Sequence, residues 1–299
     1  MSPAQIAVAP RRDGDPIQHV SDTSFWVAAY RALESERSDR LFYDPLAKLL
    51  AGGLGEKIAQ DMGNRAAMQW SVAIRTCIID DYIQEAIRQG IDTVLNLGAG
   101  LDARPYRMEI PAALSWIEID FPSVIEFKRR QLENETPRCR LERIGLDLTD
   151  TDERRKIFSD INARAQGVVI LTEGVLPYLS NEEVGSLAED LGRHPHFRHW
   201  ITDYFSSLFM DYYRRGRFRN RLSSNAPFRF DPDDWERFFY SRDWRLDHLR
   251  YLAEEGLRLG RRPPVPLLFK LMRPFLSRDR KRAVRQMSGY ALLSNSVAQ

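Results

Sequence analysis

Short, almost unbroken apolar runs punctuate the middle of the chain: "TVLNL" (93–97), "SWIEID" (115–120), "RLERIGL" (140–146), "VVILTEG" (168–174) and "HWITDYF" (199–205). Runs of this length with little polar alternation predict strands covered on both faces, the habit of parallel sheets. Two more, "DWRLDHLRYL" (243–252) and "GYALLSN" (289–295), predict closing strands. Helical periodicity lies between and before them. In "SNEEVGSLAEDLG" (180–192), Ser180 and Glu183 form a capping box that satisfies two orphan amides at a helix start. Upstream, Trp26, Ala29, Tyr30 and Leu33 recur at helical spacing in "TSFWVAAYRALESER", with Ser21 or Asp22 as the cap. The stretch "NRAAMQWSVAIRTCIIDDYIQEAIRQG" (64–90) predicts a long second helix closed by Gly90, which can take the left-handed stop.

The pattern predicts one α/β domain over residues 1–299. Residues 1–20 form a Pro- and charge-rich flexible lead, 21–90 a helical N-terminal cap, and 91–205 the alternating core. Residues 206–242, aromatic and arginine-rich, read as a lid insertion, and 243–299 carry the last strands around a basic connector. No internal repeat is present.

Composition narrows the function. An apolar fraction of 43% supports a real core. Lys plus Arg (44) nearly balance Asp plus Glu (42), so the net charge of +2 supplies no field to gather a polyanion, and no nucleic-acid partner is expected. Two cysteines, Cys77 and Cys139, are too few for a disulfide framework and point to a reducing compartment, the cytoplasm. The first residues lack the order and length of a secretory signal, and no run approaches a membrane span, so stable membrane insertion is not expected.

The first strand runs into "GAGLDARPYR" (98–107). Gly98, Gly100 and Ala103 satisfy G-x-G-x-x-A, and Asp120 closes the next strand about 20 residues on, where a carboxylate can accept from both hydroxyls of a ribose. That fingerprint alone permits a dinucleotide such as NAD and a nicotinamide-dependent oxidoreductase. Asp102 opposes it: a carboxylate against a pyrophosphate in a partly dry pocket costs on the order of a few kcal/mol, unless Arg104 neutralises it. Pro105 and Pro111 also bracket a segment too short for the long helix that usually faces a pyrophosphate. S-adenosylmethionine, an adenosine with a sulfonium and an amino-acid end, carries no phosphate.

These residues resemble the motif of the leucine carboxyl methyltransferase family, whose bacterial members include polyketide-type O-methyltransferases. The resemblance extends to "SDTSFWVAAYRALESERSDRLFYDPLA", "AIRTCIIDDYI", "WIEIDFPSVI", "LDL" (146–148) and "LTEGVLPYLS", spanning roughly residues 21–205. It implies a Rossmann-like class I methyltransferase fold: a seven-stranded, mostly parallel sheet whose last strand is antiparallel. It also implies S-adenosyl-L-methionine as cofactor. By motif position Arg75 would grip the cofactor carboxylate, Gly98 and Gly100 would admit its backbone-close approach, and Asp102 and Glu173 would face the methionine end. Asp120 would take the ribose, and Asp147 and Leu148 would frame the adenine. Tyr178 would face the substrate. The chain departs from the family in two places: no lysine stands near Ser24 and Phe25, and "LDAR" replaces the more usual "LDTR".

The implied reaction is methyl transfer to a carboxylate or hydroxyl of a small molecule, a secondary metabolite, by in-line displacement that rests chiefly on positioning. A carboxylate acceptor is already ionised at neutral pH, whereas a phenol would benefit from a base, and the sequence singles none out. Methylation of a protein C-terminus and a non-catalytic interaction module are the alternatives. His194, His196 and His199 in "HPHFRH" lack the carboxylates and separated elements of a catalytic metal site, so no metal is expected. "YYRRGRFRNR" (212–221) reads as a solvated charge run or an anion-attracting lid, and "PLLFKLMRPFLSRDRKR" (266–282) as a segment packed on the sheet or resting on a membrane surface.

Overall fold

The computed structural model describes residues 23–61, 65–215, 227–265 and 275–298. Seven strands form one sheet: β1 (Thr93–Leu97), β2 (Ser115–Asp120), β3 (Arg140–Gly145), β4 (Val168–Thr172), β5 (Phe197–Phe205), β6 (Trp244–Tyr251) and β7 (Ser288–Asn295). Their spatial order is β3-β2-β1-β4-β5-β7-β6. All pairs are parallel except those of β7, which slots antiparallel between β5 and β6. Each run read as a strand in the sequence is one. The chain winds outward from β1 through β2 to β3, then returns to β4 on the other side of β1. The strand order reverses there, which opens a crevice at the carboxyl ends of β1 and β4.

Both faces of the central strands are covered, so β1 and β4 are buried at every residue. Alternate side chains enter opposite cores. Leu95, Leu97, Ile170 and Trp200 meet Phe158, Ile161, Leu187 and Leu191 on one face. Val94, Val169, Leu171 and Ile201 meet Ile74, Ile78, Ile79 and Ile83 on the other. The first set of partners comes from α6 (Thr151–Arg164) and α7 (Asn181–Gly192), the second from α3 (Arg65–Arg88). Ser180 and Glu183 make the capping box that starts α7. Gly90, at φ +91°, ends α3 as the sequence predicts, with the Gly90 and Ile91 amides donating back to Ile87 and Ala86.

A third cluster joins α1 (Thr23–Ser35) to α2 (Ala47–Asp61), where Trp26, Tyr30, Leu50 and Ile58 pack on Leu101 and Tyr106 beside the glycine turn. Helix α2 is absent from the sequence reading, because Gly52, Gly53 and Gly55 look like a loop. The helix tolerates them by kinking at Gly52 (φ 53°, ψ −170°) and by using Gly55 for close contact with α1. The Ser21 or Asp22 cap assigned to α1 lies outside the described residues.

Short helices fill the remaining connections: α4 (Arg104–Arg107), α5 (Pro122–Gln131), α8 (Ser207–Arg215), α9 (Trp235–Tyr240), α10 (Leu252–Arg258) and α11 (Arg278–Arg285). Helix α4 is four residues long, as Pro105 and Pro111 demand. The segment read as a lid contains α8 and α9, while much of "YYRRGRFRNR" lies outside the described residues. So does all of "PLLFKLM"; its basic continuation forms α11, which buries no side chain. Among the described residues no helix is long and apolar enough to cross a membrane. Cys77 and Cys139 are free, and burial pushes both thiols up to about 12.

Candidate active site

The crevice at the strand reversal is lined by Arg75, Gly98, Gly100, Asp102, Asp120, Asp147, Leu148, Glu173 and Tyr178. All nine residues singled out in the sequence therefore meet in one cleft, although they come from α3, four strand ends and the turn after β4.

The floor is the turn after β1. Gly98 (φ +65°) donates its N–H to the Ile119 carbonyl at 2.8 Å, and Gly100 (φ +48°) donates to Asp120 Oδ2 at 2.6 Å. A Cβ on Gly98 would stand 2.4 Å from Val175 Cγ2, and one on Gly100 would meet Ser24 Cβ at 3.0 Å. Glycine is needed here for conformation and for space. The other oxygen of Asp120 accepts from the Phe121 N–H at 2.7 Å. Burial raises the Asp120 pKa, outweighing these two bonds. Each carboxylate oxygen keeps a lone pair for another donor.

At one end of the cleft, Asp147 Oδ1 accepts from the Thr149 amide (2.9 Å) and hydroxyl (2.8 Å), leaving Oδ2 without a bond to them. Leu146, Leu148, Phe121 and Val124 supply apolar walls. A carboxylate beside apolar side chains suits a flat ring bearing an exocyclic amine.

The opposite end is a chain of charges. Arg75 Nε lies 2.9 Å from Glu173 Oε1, and Arg104 Nη1 bridges Glu173 (2.8 Å) and Asp102 (2.8 Å). Arg104 Nε reaches Asp80 at 2.6 Å, and Asn96 Nδ2 donates to Asp102 at 2.9 Å. Burial raises both carboxyls, but the neighbouring guanidiniums prevail and hold Asp102 and Glu173 below the usual carboxylate range. The arginine that the sequence allowed as a neutralising partner thus holds Asp102 directly. The like-charge argument against a diphosphate weakens accordingly, and so does a direct grip of Asp102 on an ammonium. The helix that follows the turn, α4, is only four residues long, unlike the long helix that usually faces a pyrophosphate.

Several wall residues had no separate signal in the sequence. Trp26 and Arg31 come from α1, whose periodic apolar residues read as core. Asn96, only 2% exposed, is the polar residue inside "TVLNL", and that anomaly is its signal. Asp203 of β5 backs the charged end: its Oδ2 accepts the Gly174 N–H (2.8 Å) and its Oδ1 the Tyr290 hydroxyl (2.7 Å). The histidines stay apart from this site. His194 packs on Phe197, and His196 Nδ1 lies 2.8 Å from the Asn162 carbonyl.

A family model of leucine carboxyl methyltransferases matches residues 24–192, more than half of the sequence. The chain belongs to the leucine carboxyl methyltransferase family. A candidate S-adenosyl-L-methionine-dependent methyltransferase of Streptomyces coelicolor is 36% identical over 182 residues, 57% of this chain and 63% of that protein. The aligned stretch is thus under two thirds of that relative's length. Another, from Mycolicibacterium smegmatis, is 28% identical over 281 residues, 88% of each chain. The fold is that of a candidate methyltransferase from Thermobifida fusca, with a TM-score of 0.55 at 15% identity over 90% of this chain and 94% of that one. Both relatives are described as S-adenosylmethionine-dependent methyltransferases.

The site's own chemistry accords with that cofactor. Trp26 Nε1 is buried at the cleft wall without a hydrogen-bond partner among the described residues, a donor left over beside the cleft. The glycine turn leaves a cradle that a Cβ would fill, and Asp120 retains acceptor capacity toward a ribose.

Proposed function

We propose that this protein is an O-methyltransferase that uses S-adenosylmethionine to methylate a carboxylate or hydroxyl of a small molecule, a secondary metabolite, in the cytoplasm. The observation that carries the reading is the convergence of Asp147, Asp120 and the Arg75–Glu173 pair in one cleft, following the strand order β3, β2, β4 as adenine, ribose and amino acid require. Bound there, the cofactor supplies an electrophilic methyl group on a cationic sulfur.

The chain's part is to bind, orient and exclude water. Asp120 takes the ribose hydroxyls, Asp147 accepts from the adenine amine, and Leu148 packs on its ring. Arg75 and Trp26 Nε1 hold the carboxylate end. Glu173, kept ionised by Arg75 and Arg104, places negative charge where a cationic ligand benefits. Tyr178 stands at the acceptor side, its ring edge-on to Phe228 at 5.4 Å. Burial pushes its phenol up to about 12, so it remains a neutral hydrogen-bond donor near pH 7.

The family's description favours a second reading, methylation of a protein's terminal carboxylate. Incubation with methyl-labelled S-adenosylmethionine and a metabolite extract of the producing organism separates the two. The first reading expects label in a small O-methylated product. Label confined to protein would overturn it in favour of the second.

A further inference from the structure

A second cleft, of about 490 Å³, opens on the same edge of the sheet, at the carboxyl ends of β5 and β6. That volume suits a small molecule. Only the turn after β4 divides it from the cofactor cleft: Leu176 and Pro177 line the second, whereas Gly174, Val175 and Tyr178 line the first. Asp203 lines the second cleft and accepts the Gly174 amide at 2.8 Å, so the two are a single hydrogen bond apart.

The lining is unlike that of the first cleft. Tyr204 stands edge-on to Trp235 (centroids 5.4 Å apart, 78° between planes) and to Tyr251 (5.9 Å, 72°), making an aromatic corner. All three rings are half-buried. Around them stand carboxylates. Glu236 lines the same cleft and its charge acts on both tyrosines, with Glu254 also acting on Tyr251 and Arg282 opposing it. Asp231 is paired with Arg214, while Asp233 is exposed at the rim. Among the described residues, no lysine or arginine lines this cleft. Electron-rich ring faces and carboxylates without a lining cation attract an ammonium and repel an anion.

We propose that this second cleft binds the methyl acceptor by a protonated or quaternary amine, so that the acceptor is a cationic amine bearing a hydroxyl. The cage of Tyr204, Trp235 and Tyr251 holds the ammonium, and the hydroxyl end lies toward Asp203 and the cofactor cleft. Within the methyltransferase reading on which this rests, it selects the hydroxyl over the carboxylate, because an anionic acceptor meets lining carboxylates here and no lining cation among the described residues.

The test uses three phenols of one size: tyramine (cationic), 4-ethylphenol (neutral) and 4-hydroxyphenylacetate (anionic). Each is titrated by calorimetry into the full chain, with and without saturating S-adenosylhomocysteine. The expected order is tyramine, then 4-ethylphenol, then 4-hydroxyphenylacetate, with at least tenfold between the first and last. Trp235→Ala should weaken tyramine about tenfold. Glu236→Gln, at an exposed position that leaves folding intact, should weaken tyramine two- to threefold and leave 4-ethylphenol unchanged. Equal or tighter binding of the anion, no binding of tyramine, or unaltered tyramine affinity in both variants overturns the proposal. Failure of S-adenosylhomocysteine to bind strikes the methyltransferase reading instead, and the titrations without it still decide the chemistry of the cleft.

Discussion

Single side chains in the cleft take their chemistry from what surrounds them. Asp120 receives two backbone amides and keeps lone pairs for a ligand. Asp120→Ala should lower S-adenosylhomocysteine affinity about 30- to 100-fold, as two hydrogen bonds of roughly 1 to 1.4 kcal/mol each would give, with an unchanged circular-dichroism spectrum. Near-wild-type affinity in calorimetry would remove Asp120 from the site. Asp203 is a second case. Its carboxyl is pushed up to about 6 by burial, against the Tyr290 hydrogen bond, Arg75 and the Gly174 amide, with Glu173 adding to the rise. A carboxyl whose folded value exceeds its unfolded value near 4 favours folding at low pH, and that contribution is lost as pH rises through about 6. Asp203→Asn has no such titration. Its unfolding free energy relative to wild type should therefore shift by about 1–2 kcal/mol in the variant's favour between pH 5 and pH 8, read from urea melts. A pH-independent difference would mean that Asp203 titrates normally. In the sequence Asp120 was visible because it ends a strand after a glycine turn, whereas Asp203 was not. Within "HWITDYF" it looks like one more strand residue, and its meaning comes only from Tyr290, 87 positions later.

At the scale of elements, α1 matters more than its short length suggests, because it closes the cleft wall with Trp26 and Arg31. It is held against α2 at a glycine: a Cβ on Gly55 would stand 2.5 Å from the Phe25 carbonyl oxygen. Gly55→Ala should push the helices apart, lowering stability by about 1–3 kcal/mol and weakening S-adenosylhomocysteine binding severalfold. Thermal melts and calorimetry on that variant check both, and unchanged affinity would separate the α1–α2 contact from the site. The strands and the long helix α3 were legible because burial on two faces and a 3.6-residue period leave plain patterns. Helix α2 was not, since its glycines serve packing between helices, which a local pattern does not record. Helices α8 and α9 were hidden for a related reason: arginines and aromatics mixed in one segment blur the period that would mark them.

Over the whole molecule, the seven-strand order puts two clefts on one edge of the sheet, one built around a glycine turn and charges, the other around aromatic rings and carboxylates. The place of β7 between β5 and β6 is not written in any strand. Resemblance to a family gave only its antiparallel sense, and the edge order itself comes from the structure. The sequence-level electrostatic argument against a dinucleotide also changes at this scale, because Arg104 joins Asp102, Glu173 and Asp80 in one buried network. What remains against NAD is the four-residue α4. The most direct measurement is paired isothermal calorimetry of the protein with S-adenosylhomocysteine and with NAD under identical conditions. The account predicts saturable 1:1 binding of S-adenosylhomocysteine and none of NAD; binding of NAD with no heat from S-adenosylhomocysteine would contradict it.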